Sequence, residues 1–380
     1  MSPSPIVLVV NSGSSSVKYE LFSMGPQHSV LEGEIEGVGA SDYHEAMKRV
    51  FDELAGAGAL GGSCDLVAIG HRVVHGGDLF AGPVRIDDET VERIRSLALF
   101  APLHIGANLA GVAAARSACP DVPNVAVFDT AFHRTLPQYA REYALPRSLA
   151  REHGIRRYGF HGTSHAYVSR RASRLLGRPL EELNLITLHL GNGASAAAVC
   201  GGRSIDTSMG MTPLEGLVMG TRCGDVDPAI PLLIRELTDL SREDVHRILN
   251  NDSGLQGLCG ARDMREVHEL ADSGDEGALL ALEMFCYRTK KYVGAYCAVL
   301  GRVDAIVFTA GIGENDADVR ERICEGLDVF GIRVARDRNT APESGPRYIS
   351  PDGSPVAVLV IPTDEEAEIA RMTYELVTKE

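Results

Sequence analysis

The chain has 380 residues, of which 44% are hydrophobic and 23% are charged, and its formal net charge is −15. This length leaves room for two domains with sizeable cores, and the composition is that of a soluble globular protein. The negative field repels polyanions, which argues against nonspecific binding to nucleic acids or acidic membranes. A bound phosphate would therefore need local Arg, Lys and backbone donors, helped by a divalent cation.

Eight cysteines are scattered without a Cys-x-x-Cys pair. This spacing predicts neither a zinc site nor a disulfide framework, and it favours a reducing compartment. No stretch has the pattern of a signal peptide or the length of an apolar membrane span. We therefore expect a cytoplasmic protein without nucleic-acid or membrane partners.

The opening residues 6–21, IVLVVNSGSSSVKYEL, predict a strand, a tight polar loop and a second strand. The loop offers backbone N–H groups, hydroxyls and the Lys18 ammonium, which are the groups that hold a phosphate. An ordinary Ser/Gly hairpin is the alternative. The pattern returns half a chain later at residues 185–199, LITLHLGNGASAAAV, where Gly193 aligns with Gly13. This repeat predicts a duplicated domain with a cleft between the copies, and it favours the phosphate interpretation.

Two strand ends carry further candidate groups. Arg72 lies among apolar residues, where it is either a structural salt-bridge partner or an anion site whose planar fork binds phosphate oxygens. Asp129 follows a buried strand and predicts either a helix N-cap or a group that orients substrate or metal-bound water. Between them, residues 101–108 predict a loop that leads into a helix ending near Ala118.

The segment RRYGFHGTSH at residues 156–165 places His161 and His165 four residues apart. Metalloprotease chemistry is excluded because Gly162 stands where that motif needs glutamate. A basic turn that caps a helix starting near Ser164 is the alternative interpretation. A second embedded arginine, Arg222, follows in a flexible segment rich in glycine.

The last third of the chain carries two weaker signals. Residues 251–265 predict a loop with a charged end, and residues 305–315, AIVFTAGIGEN, predict a strand, a Gly-x-Gly loop and a helix. The two glycines would let the backbone approach a nucleotide, although the third glycine of the dinucleotide fingerprint is absent. The acids after Thr363 fit either a helix N-terminus or a magnesium site.

Taken together and in this order, these segments closely resemble the acetokinase family, in the acetate and sugar kinase/Hsp70/actin superfamily, over nearly the whole chain. The segments are NSGSSSVK (11–18), GHRVVHGG (70–77), FDTAFH (128–133), RRYGFHGTSH (156–165), HLGNGAS (189–195), MGTRCGD (219–225), TAGIGEN (309–315) and PTDEE (362–366). The resemblance implies an α/β fold of duplicated actin-like, ribonuclease H-like domains, with two lobes around a central cleft. The implied N-terminal lobe comprises residues 1–131 and 366–380 and holds the first phosphate loop and the acyl substrate. The implied C-terminal lobe comprises residues 132–365 and binds the nucleotide.

The resemblance also implies a reaction. It is reversible, Mg²⁺-dependent phosphoryl transfer from ATP to acetate, giving acetyl phosphate and ADP by direct in-line transfer, with Mn²⁺ as a possible substitute and a homodimer as the assembly. A propionate or butyrate kinase of the same fold is the nearest alternative. An actin- or Hsp70-like ATPase is an alternative of a different class, against which the compact length and the paired arginines argue.

Residue roles follow from the same resemblance. The implied catalytic residues are Asn11, Arg72, Asp129, His161 and Arg222. The implied phosphate- and nucleotide-binding residues are Ser14, Ser16, Lys18, His189, Gly191, Asn192, Gly193, Asp263, Met264, Arg265, Gly311, Ile312, Gly313, Glu314 and Asn315. Mg²⁺ is implied at Asn11 and Glu365, and the acyl pocket at Val74, Leu103, Phe160 and Pro213. One departure bears on that pocket: the family usually continues Ala-Pro-Leu-His with Asn-Pro-Pro, whereas residues 105–107 are Ile-Gly-Ala. A more flexible wall there would admit propionate.

Overall fold

The computed structural model describes residues 4–13, 16–39, 42–58 and 66–379. They form two compact units. Unit 1 comprises the described residues of Met1–Arg134, Gly162–Ser164 and Asp364–Glu380, and unit 2 comprises Thr135–His161 and His165–Thr363. Within the described ranges, no helix combines the length and apolar content needed to cross a bilayer.

Unit 1 is built on a six-stranded sheet in the order β3-β2-β1-β4-β6-β5. Its strands are β1 (Ile6–Ser12), β2 (Ser16–Ser23), β3 (His28–Glu36), β4 (Leu66–Val73), β5 (Val84–Arg85) and β6 (Asn124–Phe128). Its helices are α1 (Tyr43–Gly56), α2 (Asp88–Arg95), α3 (Pro102–Ala118) and, from the end of the chain, a helix at Glu365–Lys379, with short 3₁₀ helices at Ser96–Leu99 and Ala131–Thr135. Strand β1 is antiparallel to β2 and parallel to β4, which in turn is parallel to β6. Central strands in such a sheet are covered on both faces, which explains the continuous apolar run at the start of the chain.

Unit 2 holds a second six-stranded sheet and most of the helices. The sheet contains β7 (Asn184–Leu190), β8 (Ala194–Cys200), β9 (Arg203–Thr207), β10 (Ala305–Thr309), β11 (Arg347–Tyr348) and β12 (Ala357–Val360). The helices are α4 (Gln138–Arg141), α5 (Arg147–Glu152), α6 (Gly162–Leu176, whose first three residues belong to unit 1), α7 (Ile230–Leu237), α8 (Arg242–Asn251), α9 (Gly254–Cys259), α10 (Met264–Asp272), α11 (Glu276–Leu300), α12 (Ala310–Asn315), α13 (Ala317–Cys324) and α14 (Arg336–Asn339). The helix at Glu365–Lys379 in unit 1 is α15. Two further 3₁₀ helices lie at Leu180–Glu182 and Asp328–Phe330.

The two sheets repeat one topology. The order of the second sheet is β11-β12-β10-β7-β8-β9, so that each strand of the first sheet has its counterpart six strands later. The pairings correspond as well: β7 is antiparallel to β8 and parallel to β10, which is parallel to β12. The duplication predicted from the repeated strand–loop–strand pattern is therefore confirmed.

Three local predictions were wrong. Helix α3 already begins at Pro102, because the amide of Ile105 donates to the Ala101 carbonyl at 2.9 Å and no proline interrupts the turn. The Gly-x-Gly segment after β10 is the helix α12 and not a loop. Residues 254–259 form the helix α9 within a stretch predicted to be a loop.

Helix α15 packs against β4 in unit 1 at very close range. A Cβ atom added to Gly70 on β4 would lie 2.5 Å from Thr373 Oγ1 and 2.9 Å from Ile369 Cγ2 of that helix. Both distances are shorter than van der Waals contact, so only glycine permits this approach. The last helix of the chain therefore completes the first unit.

A buried histidine on the same strand makes unit 1 sensitive to acid. His71 is fully enclosed, and its Nε2 lies 2.7 Å from Asn124 Oδ1, a contact in which a neutral imidazole donates. Burial lowers the pKa of His71 from 6.5 to about 4, although the bond to Asn124 opposes this shift. The unfolded chain therefore binds a proton between these values that the folded chain does not.

We expect this difference to lower the free energy of unfolding by about 3 kcal/mol as the pH falls from 6.5 to about 4. His71 contributes its full stability above pH 6.5 and loses it as the pH falls through the folded pKa. Urea titrations of wild type and His71→Gln across this range test the expectation, and the variant should show the shallower slope. The exposed His246 provides a control, since His246→Gln should keep the wild-type slope. Equal slopes for wild type and His71→Gln would contradict the assignment.

Candidate active site

The loop between β7 and β8 lies at the centre of the candidate site. A Cβ atom added to Gly193 would lie 3.4 Å from His161 Nε2 and 3.7 Å from Arg222 Nη1. Two side-chain nitrogens from distant parts of unit 2 thus face one position that the missing side chain leaves open. The Gly193 carbonyl accepts from the Gly191 amide at 3.1 Å, which holds the loop in a tight turn.

His161 is held in a strained backbone conformation. Its φ of 55° and ψ of 28° are left-handed, a conformation that costs a residue with a Cβ about 1 kcal/mol or more. The ring stacks on His189 with centroids 4.1 Å apart, and its Nδ1 lies 2.9 Å from Ser195 Oγ. Only one other described residue with a Cβ, Ala310, has a positive φ, and it borders Gly191. Backbone strain in unit 2 is therefore concentrated around this loop.

Arg222 carries a charge that the described residues do not neutralise. Its Nη1 donates to the Pro213 carbonyl at 2.9 Å and contacts Met219 Sδ at 3.5 Å. No carboxylate within the described ranges forms an ion pair with it, and burial lowers the pKa of the guanidinium. A half-buried cation without a counter-ion is a binding site for an anion.

The segment that holds Arg222 is itself clamped. Arg157 Nη1 donates to the carbonyls of Thr207, Ser208 and Met209 at 2.9 to 3.0 Å, and Nη2 donates to Glu215 at 2.6 Å. These bonds fix both ends of the loop that contains Pro213. The sequence prediction missed Arg157 and Glu215, since only their tertiary contacts distinguish them from surface charges.

Unit 1 carries a second arginine centre. Arg72 makes a bidentate pair with Asp129, at 3.0 Å from Nε to Oδ1 and 2.7 Å from Nη2 to Oδ2. Glu365 lies 3.9 Å from Arg72 Nε and accepts from Thr163 Oγ1 at 2.7 Å. Burial lowers the pKa of Arg72, but these two carboxylates outweigh it and hold the pKa above its usual range. Burial also raises the pKa of Asp129, which the guanidinium opposes. Unlike Arg222, Arg72 is already neutralised.

Oxygen ligands cluster near the start of α15. Carboxylate oxygens of Glu20, Asp364 and Glu366 lie within 4.8 Å of one another, and Glu366 is hydrogen-bonded to Asn11. Burial raises the pKa of Glu20 to about 7. The implied metal ligands Asn11 and Glu365 therefore both belong to an acidic, oxygen-rich part of unit 1, which suits a hard divalent cation.

A cavity of about 980 Å³ in unit 2 adjoins the Gly193 loop. Its lining residues are Gly191, Asn192, Arg262, Asp263, Met264, Arg265, His268, Gly311, Ile312, Asn315, Asp316 and Ala317. Eight of these belong to the implied nucleotide-binding set. Its volume is at the upper end of that of small-ligand pockets. The prediction missed Arg262, His268, Asp316 and Ala317, of which His268 pairs with Asp316 at 2.7 Å.

The remaining implied ligand-binding residues lie elsewhere. Lys18 pairs with Glu34 at 3.5 Å on an exposed strand surface, and Ser16 starts β2. Glu314 accepts from the Thr363 amide at 3.1 Å, and Gly313 lies behind it against β10. Ser14 lies outside the described residues.

The implied acyl-pocket residues are divided between the units. Val74 belongs to unit 1, and Phe160 and Pro213 belong to unit 2. Leu103 lies in α3, but its side chain is outside the described part of the chain. The neighbouring Ile105 is 1% exposed and packs in the apolar core of unit 1 with Val73 and Phe128. The Ile-Gly-Ala departure therefore places a core side chain at residue 105.

Comparisons with known proteins identify relatives over nearly the whole chain. The model of the acetokinase family matches residues 31–371. The chain is 51% identical to the acetate kinase of Syntrophobacter fumaroxidans over 98% of this chain and 97% of that protein. It resembles the crystal structure of Porphyromonas gingivalis acetate kinase with a TM-score of 0.94 and 40% identity, covering 98% of this chain and 100% of the other. A propionate kinase from Francisella tularensis matches with a TM-score of 0.90 and 40% identity, covering 98% of this chain and 99% of the other.

Proposed function

The chain belongs to the acetokinase family, and we propose that the groups around Gly193 stabilise the phosphoryl group during its transfer. The reaction is phosphoryl transfer between ATP and acetate. The observation that carries the proposal is Arg222, a half-buried cation without a carboxylate partner among the described residues, which faces the same position as His161 Nε2. Such donors suit an anion whose equatorial oxygens carry the charge of the transition state.

The chemistry requires little acid–base catalysis. The carboxylate of acetate is already ionised at neutral pH, so that no strong base is needed to create the nucleophile. The barrier lies in bringing two anions together and in stabilising the in-flight phosphoryl group in line between donor and acceptor. In this proposal Arg222 supplies charge, and His161 donates a hydrogen bond from Nε2. Arg72 is the second arginine, and Asp129 already neutralises its charge. In this proposal it orients the acetate or the phosphoryl group.

Mg²⁺ is assigned to unit 1. Asn11 and Glu365 offer the oxygen donors that a hard cation prefers, and the nearby Glu20, Asp364 and Glu366 add negative charge. When bound, Mg²⁺ neutralises charge on the phosphates of ATP. The protein residues hold and orient this centre, and Thr163 fixes the Glu365 carboxylate through its hydroxyl.

The cavity beside the Gly193 loop is assigned to ATP. It meets the loop through Gly191 and Asn192, and its lining includes the starts of α10 and α13. We further assign the two units to the two lobes of the family.

The homodimer rests on the family resemblance and is supported by α7, which buries none of its residues and exposes Leu232, Leu233 and Leu237. A cytoplasmic location stays a prediction.

Acetate is the expected preferred acid. Propionate kinase is the competing candidate because one structural neighbour bears that name and because residues 105–107 depart from the family pattern. The side chain of Ile105, however, fills the core of unit 1, so the departure changes packing there. A difference of one methylene between acids corresponds to about 1–3 kcal/mol in a pocket.

Hydroxylamine trapping tests this proposal. Purified protein is incubated with Mg-ATP and, in separate reactions, acetate, propionate, butyrate or no acid, and the acyl hydroxamate is measured. We expect acetyl hydroxamate to form well above the other two. A preference for propionate would keep the mechanism and change the substrate, whereas ATP hydrolysis without any hydroxamate would contradict carboxylate phosphorylation.

A further inference from the structure

Four polar side chains in unit 2 form an unbroken hydrogen-bonded series that ends at His161. Thr187 Oγ1 lies 2.7 Å from His165 Nδ1, and His165 Nε2 lies 2.8 Å from Ser195 Oγ. The Ser195 Oγ lies 2.9 Å from His161 Nδ1. Thr187 is on β7, Ser195 is on β8, and His165 is in the first turns of α6. The secondary structure therefore holds all three groups behind the His161 ring.

The direction of this series follows from its buried end. Thr187 is 0% exposed, and within the described ranges His165 Nδ1 is the single hydrogen-bond partner of its hydroxyl. A buried hydroxyl hydrogen needs an acceptor, since leaving it unpaired carries the full desolvation cost. Thr187 must therefore donate to His165 Nδ1, which leaves the proton of a neutral His165 ring on Nε2.

Each later step is then determined. The Nε2–H of His165 donates to Ser195 Oγ, and the hydroxyl hydrogen of Ser195 is left to donate to His161 Nδ1. A neutral His161 that accepts at Nδ1 carries its own proton on Nε2. That nitrogen is the one that faces Gly193.

We infer that Thr187, His165 and Ser195 are positioning residues that fix His161 in the tautomer with its proton on Nε2. The inference rests on the proposed function, since it explains why His161 presents a donor to the phosphoryl group. If the hydrogen bonds ran in the opposite direction, His161 Nε2 would carry a lone pair, which would repel phosphate oxygens. The series orients the hydroxyls and the rings, and no proton is transferred along it.

Nitrogen NMR of protein labelled with ¹⁵N-histidine reads the tautomers directly. Two-bond ¹⁵N–¹H correlation spectra distinguish a protonated from an unprotonated ring nitrogen, and His161→Gln and His165→Gln assign the signals. We expect both rings to be neutral with the proton on Nε2. Finding the His161 proton on Nδ1 in the wild-type protein would overturn the inference.

A matched pair at Thr187 tests the remote end. Thr187→Val removes the hydroxyl and keeps the branched shape, whereas Thr187→Ser keeps the hydroxyl. We expect Thr187→Val to give mixed tautomers at both rings and to lower kcat about tenfold with little change in KM. Thr187→Ser should keep the wild-type tautomers and the wild-type kcat. Thermal unfolding of the two variants separates this effect from misfolding. Wild-type tautomers and kcat in Thr187→Val would contradict the inference.

Ser195→Ala breaks the series next to His161 and should lower kcat about a hundredfold. The tautomer of His161 and its proposed catalytic role can be tested separately. Full turnover by His161→Gln, together with the expected wild-type tautomers, would contradict the catalytic role of His161 and still support the fixed tautomer.

Discussion

Gly193→Ala is expected to lower kcat by about a hundredfold or more and to leave the fold intact. The added methyl group would lie 3.4 Å from His161 Nε2 and 3.7 Å from Arg222 Nη1, which are ordinary contact distances. The backbone at Gly193 does not have a positive φ, so that alanine adopts it without strain. The methyl group would nevertheless occupy the position where the two donors converge and would exclude a phosphoryl oxygen from it.

The hydroxamate assay and thermal unfolding measure the two effects separately. Gly294, within α11, is a matched control because a Cβ atom there meets nothing within 4 Å apart from its chain neighbours and the backbone of its own helix. Gly294→Ala should keep wild-type turnover and should stabilise the helix by about 0.5–1 kcal/mol. Wild-type kcat in Gly193→Ala would show that the phosphoryl group does not lie at this position.

Substitutions of Arg222 and Arg72 are expected to affect turnover and the free energy of unfolding differently. Arg222→Met is expected to lower kcat by about a hundredfold or more, because a charge that faces the transferring group is lost. Its free energy of unfolding should stay constant or rise, since the replacement removes a half-buried cation that has no counter-ion among the described residues. Equal losses of activity and stability in Arg222→Met would contradict its assignment as an anion-binding group.

Arg72→Met should behave differently. It leaves Asp129, which is 1% exposed, without its bidentate partner, and breaking such a pair costs about 3–5 kcal/mol. Adding Asp129→Asn to Arg72→Met removes the stranded charge and should recover part of the stability without recovering turnover. Urea unfolding and the hydroxamate assay, applied to the single and double variants, test both statements. A stable Arg72→Met would contradict the structural importance of the pair.

The sequence predicts this pair only in part. It identifies Arg72 and Asp129 as strand-end candidates, but each retains two interpretations because they are 57 residues apart. The parallel register of β4 and β6, which pairs Arg72 with Val127, brings Asp129 beside the guanidinium. The same holds for the duplicated topology: repeated strand–loop–strand patterns predict two copies, whereas the order of six strands in each sheet depends on tertiary pairing.

Other features carried no local signal. A single residue such as His161 gives no indication of a left-handed backbone, which the packing of its neighbours imposes. The two glycines in residues 310–315 predict a loop. The segment nevertheless forms the helix α12 with its backbone hydrogen bonds. Ser195 lies in the second copy of the repeated strand–loop–strand pattern, but its position between two imidazoles depends on the tertiary placement of β8 and α6.

The position of α15 has a consequence for how the protein is made. Synthesis delivers the strands of unit 1 first, yet the helix that covers β4 at Gly70 is translated only after unit 2. Unit 2 is complete at Thr363, before that helix exists outside the ribosome. Unit 1 can therefore finish folding only after all of unit 2 has emerged. Until α15 arrives, the apolar face of the nascent first sheet is exposed, so that chaperones can bind it and it can aggregate.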